Sequence, residues 1–252
     1  MGSLKNKTAV VTGGNSGIGY ASARLFRQHD ARVLITGRDP RSVQKAATEL
    51  GVYSAVAEQS AIDDLANLSG EISTHLGKID ILFLNAGLGY FLPVEAATAE
   101  HYDSIMNANV RGLYFTVQKL LPLINDGGSI IINSSVNAVL GMAASSVYSM
   151  GKAALLSLNR VLATELAPRR IRVNAILPGP IDTPAYGKTG MDKEQLDHTR
   201  QVLESKIILK RYGTPEEVAQ VVRFLASEES SFVNASEITV DGGLVNYGIY
   251  DK

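Results

Sequence analysis

Tyr148 and Lys152 stand four residues apart, and on a helix that spacing puts a phenol and an ammonium on one face. The positive charge favours phenolate, so the pair can give or take a proton near neutral pH. Upstream, Ser134 and Ser135 close an apolar run, and Ser135 precedes Tyr148 by thirteen residues. A different chemistry is set up near the N-terminus, where Thr12-Gly13-Gly14-Asn15-Ser16-Gly17-Ile18-Gly19 follows a short apolar run and opens a helical stretch. Glycines 13, 17 and 19 permit a tight turn, close approach of a pyrophosphate and close helix-to-sheet packing, with phosphates at the positive end of the helix. The spacing departs from GxGxxG, and a glycine-rich string has a purely structural reading as a turn. Its position directly after a first strand is what favours a dinucleotide site.

Discrimination between dinucleotides belongs at the end of the second strand, where an NAD site usually offers a carboxylate to the ribose hydroxyls. The sequence there reads Leu34-Ile35-Thr36-Gly37-Arg38-Asp39. Gly37 holds the expected acidic position and removes repulsion toward a 2'-phosphate, while Arg38 can pair with that phosphate through its planar fork. Asp39 either orients Arg38 or partly neutralises it. These residues point to NADP(H).

The elements that must position these groups can be read from periodicity. Short apolar or β-branched runs occur at Thr8 to Thr12, Arg32 to Thr36, Val52 to Ala57, Ile79 to Leu84, Ser129 to Asn133, Ile171 to Ile176 and Glu237 to Val240. All but the third are continuous enough for strands buried on both faces of a parallel sheet. Helices are expected at Gly17 to His29, Ser42 to Leu50, Ala61 to Leu76, Thr98 to Ile124, Val147 to Leu166 and Pro215 to Ser227. Thr214-Pro215-Glu216-Glu217 supplies an N-cap, a proline at the first helical position and first-turn carboxylates. Strands alternating with helices imply right-handed crossovers and a single doubly wound α/β domain spanning 1–252, with a mainly parallel seven-stranded sheet and a less regular excursion at about 182–212.

Composition narrows the function. In 252 residues, 24 Lys plus Arg against 25 Asp plus Glu leave a net charge of -1 with no block of either sign, which argues against nucleic-acid or anionic-membrane partners. Cysteine is absent and the His residues at 29, 75, 101 and 198 lack metal-ligand spacing, so no metal is expected. No window offers the run of about 20 apolar residues that a membrane helix needs, and Met1 to Lys7 lacks the pattern of a signal peptide. A cytoplasmic protein is expected.

Taken together, the motifs resemble the short-chain dehydrogenase/reductase family, in its compact form of about 250 residues, over nearly the whole chain. The resemblance rests on Thr12 to Gly19, Asn85-Ala86-Gly87, Asn109 in Asn109-Val110-Arg111-Gly112, Ser135, Tyr148, Lys152, Pro178-Gly179 and Asp241-Gly242-Gly243, in that order. It implies a Rossmann-type domain and a hydride-transferring enzyme. It further implies that Tyr148 donates the proton, that Ser135 orients the carbonyl with Ser134 as the less well-spaced alternative, that Lys152 binds ribose, and that Asn109 supports a water relay. The cofactor is then expected against Gly13, Asn15, Ser16, Gly17, Ile18, Gly19, Gly37 and Arg38, beside Asn85, Ala86 and Gly87, and against Pro178, Gly179, Ile181 and Thr183. Pro178, Gly179 and the Asp241 turn also have structural readings. Two departures stand out. Glu58, in Ala57-Glu58-Gln59, occupies the place of an aspartate that meets the adenine amine, and Ala235 replaces a frequent glycine.

For the substrate, Gly89, Tyr90, Asn137, Val139, Met142, Ala143 and Tyr186 suggest a largely apolar pocket covered by the 182–212 segment. No arginines converge to hold a carboxylate, so a simple, cyclic or diketone is favoured over an acyl-carrier substrate, with sugars and steroids open. The C-terminal Leu244 to Tyr250 run packs on a partner, closes a pocket edge or joins the core. The leading reading is an NADPH-dependent carbonyl reductase acting on a small molecule as a homotetramer or homodimer. The alternatives are an NAD-dependent alcohol dehydrogenase and a non-catalytic dinucleotide sensor or scaffold.

Overall fold

The protein is described by a computed structural model over residues 4–184 and 192–245. Seven parallel strands form one sheet in the order β3-β2-β1-β4-β5-β6-β7. They are β1 (Thr8–Val11), β2 (Arg32–Gly37), β3 (Tyr53–Val56), β4 (Ile79–Leu84), β5 (Ile124–Asn133), β6 (Arg172–Pro178) and β7 (Glu237–Val240). The helices are α1 (Gly17–Gln28), α2 (Pro40–Leu50), α3 (Ile62–His75), α4 (Ala99–Met106), α5 (Leu113–Leu120), α6 (Ser146–Glu165), α7 (Lys193–Lys206) and α8 (Pro215–Ala226). The domain is therefore the expected doubly wound, Rossmann-type α/β fold.

Alternating side chains of the central strands feed two cores. Ala9, Val11, Ile81, Phe83 and Ile131 pack with Phe26, Val43, Val218, Val222 and Leu225 of α1, α2 and α8. Val10, Leu82, Leu84, Ile130 and Ile132 pack on the other face with Leu65, Leu68, Ile72, Val117, Leu155 and Leu156 of α3, α5 and α6. Burial on both faces is why these strands carry unbroken apolar runs. The chain leaves β1 toward β2 and β3 and later returns to β4 on the other side of β1. That reversal opens a crevice at the carboxyl ends of β1 and β4, where parallel sheets bind ligands.

Several boundaries differ from the sequence reading, each for a local reason. Helix α2 begins at Pro40, two residues early, because Asp39 caps it by accepting from the Arg41 amide at 3.0 Å. The expected helix from Thr98 to Ile124 is broken by a π-turn at Asn107–Gly112 and ends at Leu120. The 182–212 excursion contains α7, a regular helix. Its inward side chains are few, chiefly Leu203 and the following Ile207, so it shows little apolar periodicity. Strand β5 starts at Ile124, with a register shift between its pairings to Ile79 and Ile81. At α8 the capping box is complete: Thr214 Oγ1 accepts from the Glu217 amide, and the Glu217 carboxylate accepts from the Thr214 amide at 2.8 Å. Hydrogen bonds from Arg211 and that amide hold the Glu217 carboxyl at about 2.

Ala235 adopts a left-handed backbone, φ 56°, in the turn before β7. An L side chain is strained there, so Ala235→Gly should stabilise the fold by about 0.5 to 1 kcal/mol after the entropy cost of glycine. Differential scanning calorimetry should show Tm rising by about 1 to 3 °C, and a lower Tm would refute the strain.

Among the described residues, no helix is long and apolar enough to cross a membrane, and no group of three or more His, Asp or Glu side chains is placed to hold a metal ion.

Candidate active site

Strand β5 ends at the crevice, and the two residues after it set the first hydroxyl groups. Ser134 Oγ donates to the Lys152 carbonyl at 2.8 Å, which ties the strand end to α6. Ser135 Oγ accepts from the Asn137 amide at 3.2 Å and donates to Asn137 Oδ1 at 3.4 Å, and its hydroxyl favours the Tyr148 phenolate. The structure thus separates the two serines: Ser134 braces the helix, and Ser135 meets the phenol.

Tyr148 and Lys152 lie in the first turns of α6 and face the same way, with Lys152 Nζ 5.7 Å from the Tyr148 ring centroid. Phe91 packs edge-on against that ring at 5.3 Å. Burial pushes the Tyr148 phenol up, and the Ser135 hydrogen bond opposes that rise. Lys152 is buried, and removal from water lowers its ammonium to about 8. The ammonium donates to the main-chain carbonyl of Asn133 at 2.7 Å.

The depressed lysine has a consequence for stability. Between its folded value near 8 and its unfolded value near 10.5, the unfolded chain holds the extra proton, so stability rises with pH across that window and the benefit is lost as pH falls through 8. Lys152→Met should remove this slope. Denaturant titrations from pH 8 to 9, below the ordinary tyrosine value of 10.0, should show the variant gaining on the parent as pH falls, by on the order of 1 kcal/mol per unit. Parallel stability curves would refute it.

Asn109 lies within the π-turn and is fully engaged. Its Oδ1 accepts from the Leu88 amide at 2.7 Å and its Nδ2 donates to the Leu88 carbonyl at 2.9 Å. Gly87 sits where any Cβ would come within 3.0 Å of Asn109 Oδ1 and 3.7 Å of Lys152 Nζ. Asn109, Ser135, Tyr148 and Lys152 are therefore brought to one end of the sheet, around the loop that carries Asn85-Ala86-Gly87.

The glycine-rich turn forms the neighbouring cradle. Gly13 takes φ +63°, and a Cβ there would meet Ala86 Cα at 3.0 Å. A Cβ on Gly19 would lie 2.3 Å from the Gly13 carbonyl oxygen. At Gly17, φ +54°, it would meet Thr183 at 3.3 Å, so the turn and the segment after β6 are facing walls. Ser16 begins α1 with no side-chain cap, and the first turn carries no acidic residue. Free amides without a competing carboxylate suit a pyrophosphate. A nicotinamide dinucleotide fits this cradle.

At the outer end, Gly37 is buried beside Asn15, whose Nδ2 donates to Ser42 Oγ at 2.8 Å. Arg38 is exposed, and no ion pair engages it among the described residues. Asp39 instead caps α2. Glu58 turns back to accept from the Ser60 amide and hydroxyl at 3.3 and 3.1 Å. Pro178 is buried at the end of β6, and Gly179 packs where a Cβ would lie 2.7 Å from Asp241 Cβ. Asp241 accepts from the Gly243 and Val245 amides at 2.8 and 2.7 Å, which makes its motif a turn behind the rim. Ile181 bridges to Gly213, and this pairing anchors the chain on both sides of α7.

Of the pocket candidates, Asn137 is buried and its Nδ2 donates to Met142 Sδ at 3.5 Å. Val139 and Ala143 are exposed, and Tyr90 packs edge-on against His101. Tyr186 and the run after Val245 lie outside the described residues. Sequence reasoning gave four residues no site role of their own. Thr12 Oγ1 accepts from the Asn85 and Ala86 amides at 2.9 and 3.0 Å. Gln59 Nε2 donates to the Ala86 and Ala108 carbonyls at 3.1 and 2.7 Å. Asn133 and Phe91 are the others. Polar side chains at the ends of apolar runs were the available signal for Thr12 and Asn133; Phe91 had none.

Residues 13–245 match the family profile described as Enoyl-(Acyl carrier protein) reductase. The chain is 39% identical over 249 residues to Oxidoreductase asL5 of Sarocladium schorii, covering 96% of each chain. It is 36% identical to the 3-oxoacyl-[acyl-carrier-protein] reductase FabG of Thermotoga maritima, covering 96% of this chain and 99% of that one. In three dimensions it is similar to levodione reductase, with a TM-score of 0.91 and 28% identity over 97% of this chain and 99% of the other.

Proposed function

The chain belongs to the short-chain dehydrogenase/reductase family, and we propose that it catalyses the NADPH-dependent, reversible reduction of a ketone or related carbonyl to the alcohol. The observation that carries this reading is the meeting of the Ser135 hydroxyl, the Tyr148 phenol and the buried Lys152 ammonium beside the glycine-lined cradle. A nicotinamide dinucleotide bound there supplies the hydride. Ser135 holds the carbonyl oxygen by a hydrogen bond, and Tyr148 gives that oxygen its proton as negative charge develops. Lys152 stabilises the resulting phenolate and holds the nicotinamide ribose. Asn109 supports reprotonation through water by fixing the π-turn, since both ends of its carboxamide are already held by Leu88.

NADP(H) preference rests on Gly37 in place of an acid and on Arg38, whose charge Asp39 leaves unspent because it caps α2. Tyr90, Asn137, Val139, Met142 and Ala143 line the substrate side. Glu58 contributes to the adenine side with the oxygen that Ser60 does not engage. The relatives named for a 3-oxoacyl carrier and for levodione both carry reductase names, which supports the reductive direction on a carbonyl. Consumption of NADPH and NADH over a panel of linear, cyclic and dicarbonyl ketones is the direct test. Tight NADPH binding without turnover of any carbonyl would favour a sensor instead.

We place the enzyme in the cytoplasm as a homotetramer or homodimer. Exposed Tyr114 on α5 and Met150 and Val161 on α6 leave an apolar strip suited to a symmetric contact. Light scattering should report an oligomer, and a monomer at all working concentrations would refute obligate assembly.

A further inference from the structure

Asn133, the last residue of β5, carries hydrogen bonds in two directions. Its main-chain carbonyl accepts from Lys152 Nζ at 2.7 Å, and its side-chain Nδ2 donates to Asn85 Oδ1 at 2.9 Å. Asn85 Nδ2 in turn donates to the Thr12 and Gly13 carbonyls at 3.0 and 3.1 Å. The direction of this chain of bonds is fixed by chemistry. Backbone carbonyls only accept, so the end of Asn85 that faces them is its NH2 group. Its oxygen must then face Asn133, which presents NH2 in return. Asn133 Oδ1 is thereby left over as a buried acceptor with no partner.

The three residues before it, Ile130, Ile131 and Ile132, are all apolar and fully buried. An apolar side chain at 133 would continue that pattern and carry no unpaired acceptor, whereas a buried polar atom without a partner is a cost to folding. The orphaned Oδ1 is thus the cost of a link that supplies Asn85 Oδ1 with its donor. We propose that Asn133 is a positioning residue that joins the glycine-rich cofactor turn to the catalytic lysine, so that the turn and the ammonium are held in one frame. The inference rests on the reading of the cradle as a dinucleotide site. Its effect on cofactor affinity passes through Asn85, and its effect on proton transfer passes through Lys152.

The test is titration with NADPH, followed by fluorescence, of the wild type, Asn133→Leu, Asn85→Ala and the double variant, with thermal melts of each cofactor-free protein. Losing one hydrogen bond that positions the turn should weaken NADPH about three- to tenfold in Asn133→Leu. Because both residues act along one path, the double variant should bind no more weakly than Asn85→Ala. The cofactor-free melt of Asn133→Leu should lie close to wild type. Losses that multiply in the double variant, or wild-type affinity in Asn133→Leu, would overturn the role of Asn133. Should the leucine variant fold poorly, Asn133→Asp keeps the size, loses the donor and adds a negative charge. It should weaken NADPH at least as much and, by setting a carboxylate beside Lys152, move the alkaline limb of kcat to higher pH. An unmoved limb with unchanged affinity would again overturn the proposal. A wild-type protein that binds neither NADPH nor NADH would instead remove the dinucleotide reading itself.

Discussion

Tyr148→Phe is expected to lower the rate of carbonyl reduction by about 100- to 10,000-fold while leaving NADPH affinity near wild type. The substitution removes one hydroxyl and keeps the ring, which is held edge-on by Phe91 at 5.3 Å and lies 5.7 Å from Lys152 Nζ. Packing around α6 should therefore survive, and the loss falls on proton transfer. Ser135→Ala should cost less, because Ser135 orients the oxygen without supplying the proton. Single-turnover mixing of NADPH-loaded protein with an accepted ketone separates chemistry from binding. A near-normal single-turnover rate in Tyr148→Phe would remove the phenol from the mechanism.

Arg38→Ala should weaken NADPH selectively, changing the NADPH to NADH preference by about 10- to 100-fold, the range of a charge-assisted hydrogen bond. Arg38 is exposed, and Asp39 is committed to the Arg41 amide at 3.0 Å, so the guanidinium is available to a phosphate. Gly37→Asp should move the preference the same way by offering a ribose acceptor and repelling the 2'-phosphate. That change also has a steric component: a Cβ at 37 would lie 2.9 Å from Asn15 Oδ1, so Asn15 must swing away from Ser42. Titration of each variant with both reduced cofactors reads the ratio. Ratios unchanged in both would place 2'-phosphate recognition elsewhere. High salt should narrow the wild-type preference, since an exposed charge is screened.

Local sequence determined most of the frame. Runs such as Ile81 to Leu84 and Ile130 to Ile132 are apolar because both sheet faces are covered, and that burial leaves a pattern that needs no partner to be read. Thr214-Pro215-Glu216-Glu217 likewise states its own helix start, because a cap is made within four residues. The glycines at 13, 17 and 19 mark a turn for the same local reason. Family motifs then singled out Ser135, Tyr148, Lys152 and Asn109, which the fold gathers at one sheet end.

What only the tertiary structure decided are contacts between segments far apart in the chain. The π-turn at Asn107–Gly112 exists against Gln59, whose carbonyl oxygen would lie 2.2 Å from a Cβ on Gly112, a closeness no periodicity records. Asp39 had two readings in the sequence and the fold chose a third, because an amide two residues away offered a better partner than Arg38. The division of labour between Ser134 and Ser135 depends on which side of β5 meets α6. The same is true of Asn133, where a polar residue ending an apolar strand gains meaning only once Asn85 and Lys152 arrive from either side. Periodicity reports which face a side chain takes; the direction of a hydrogen bond is set by the partner, and the partner is supplied by the fold.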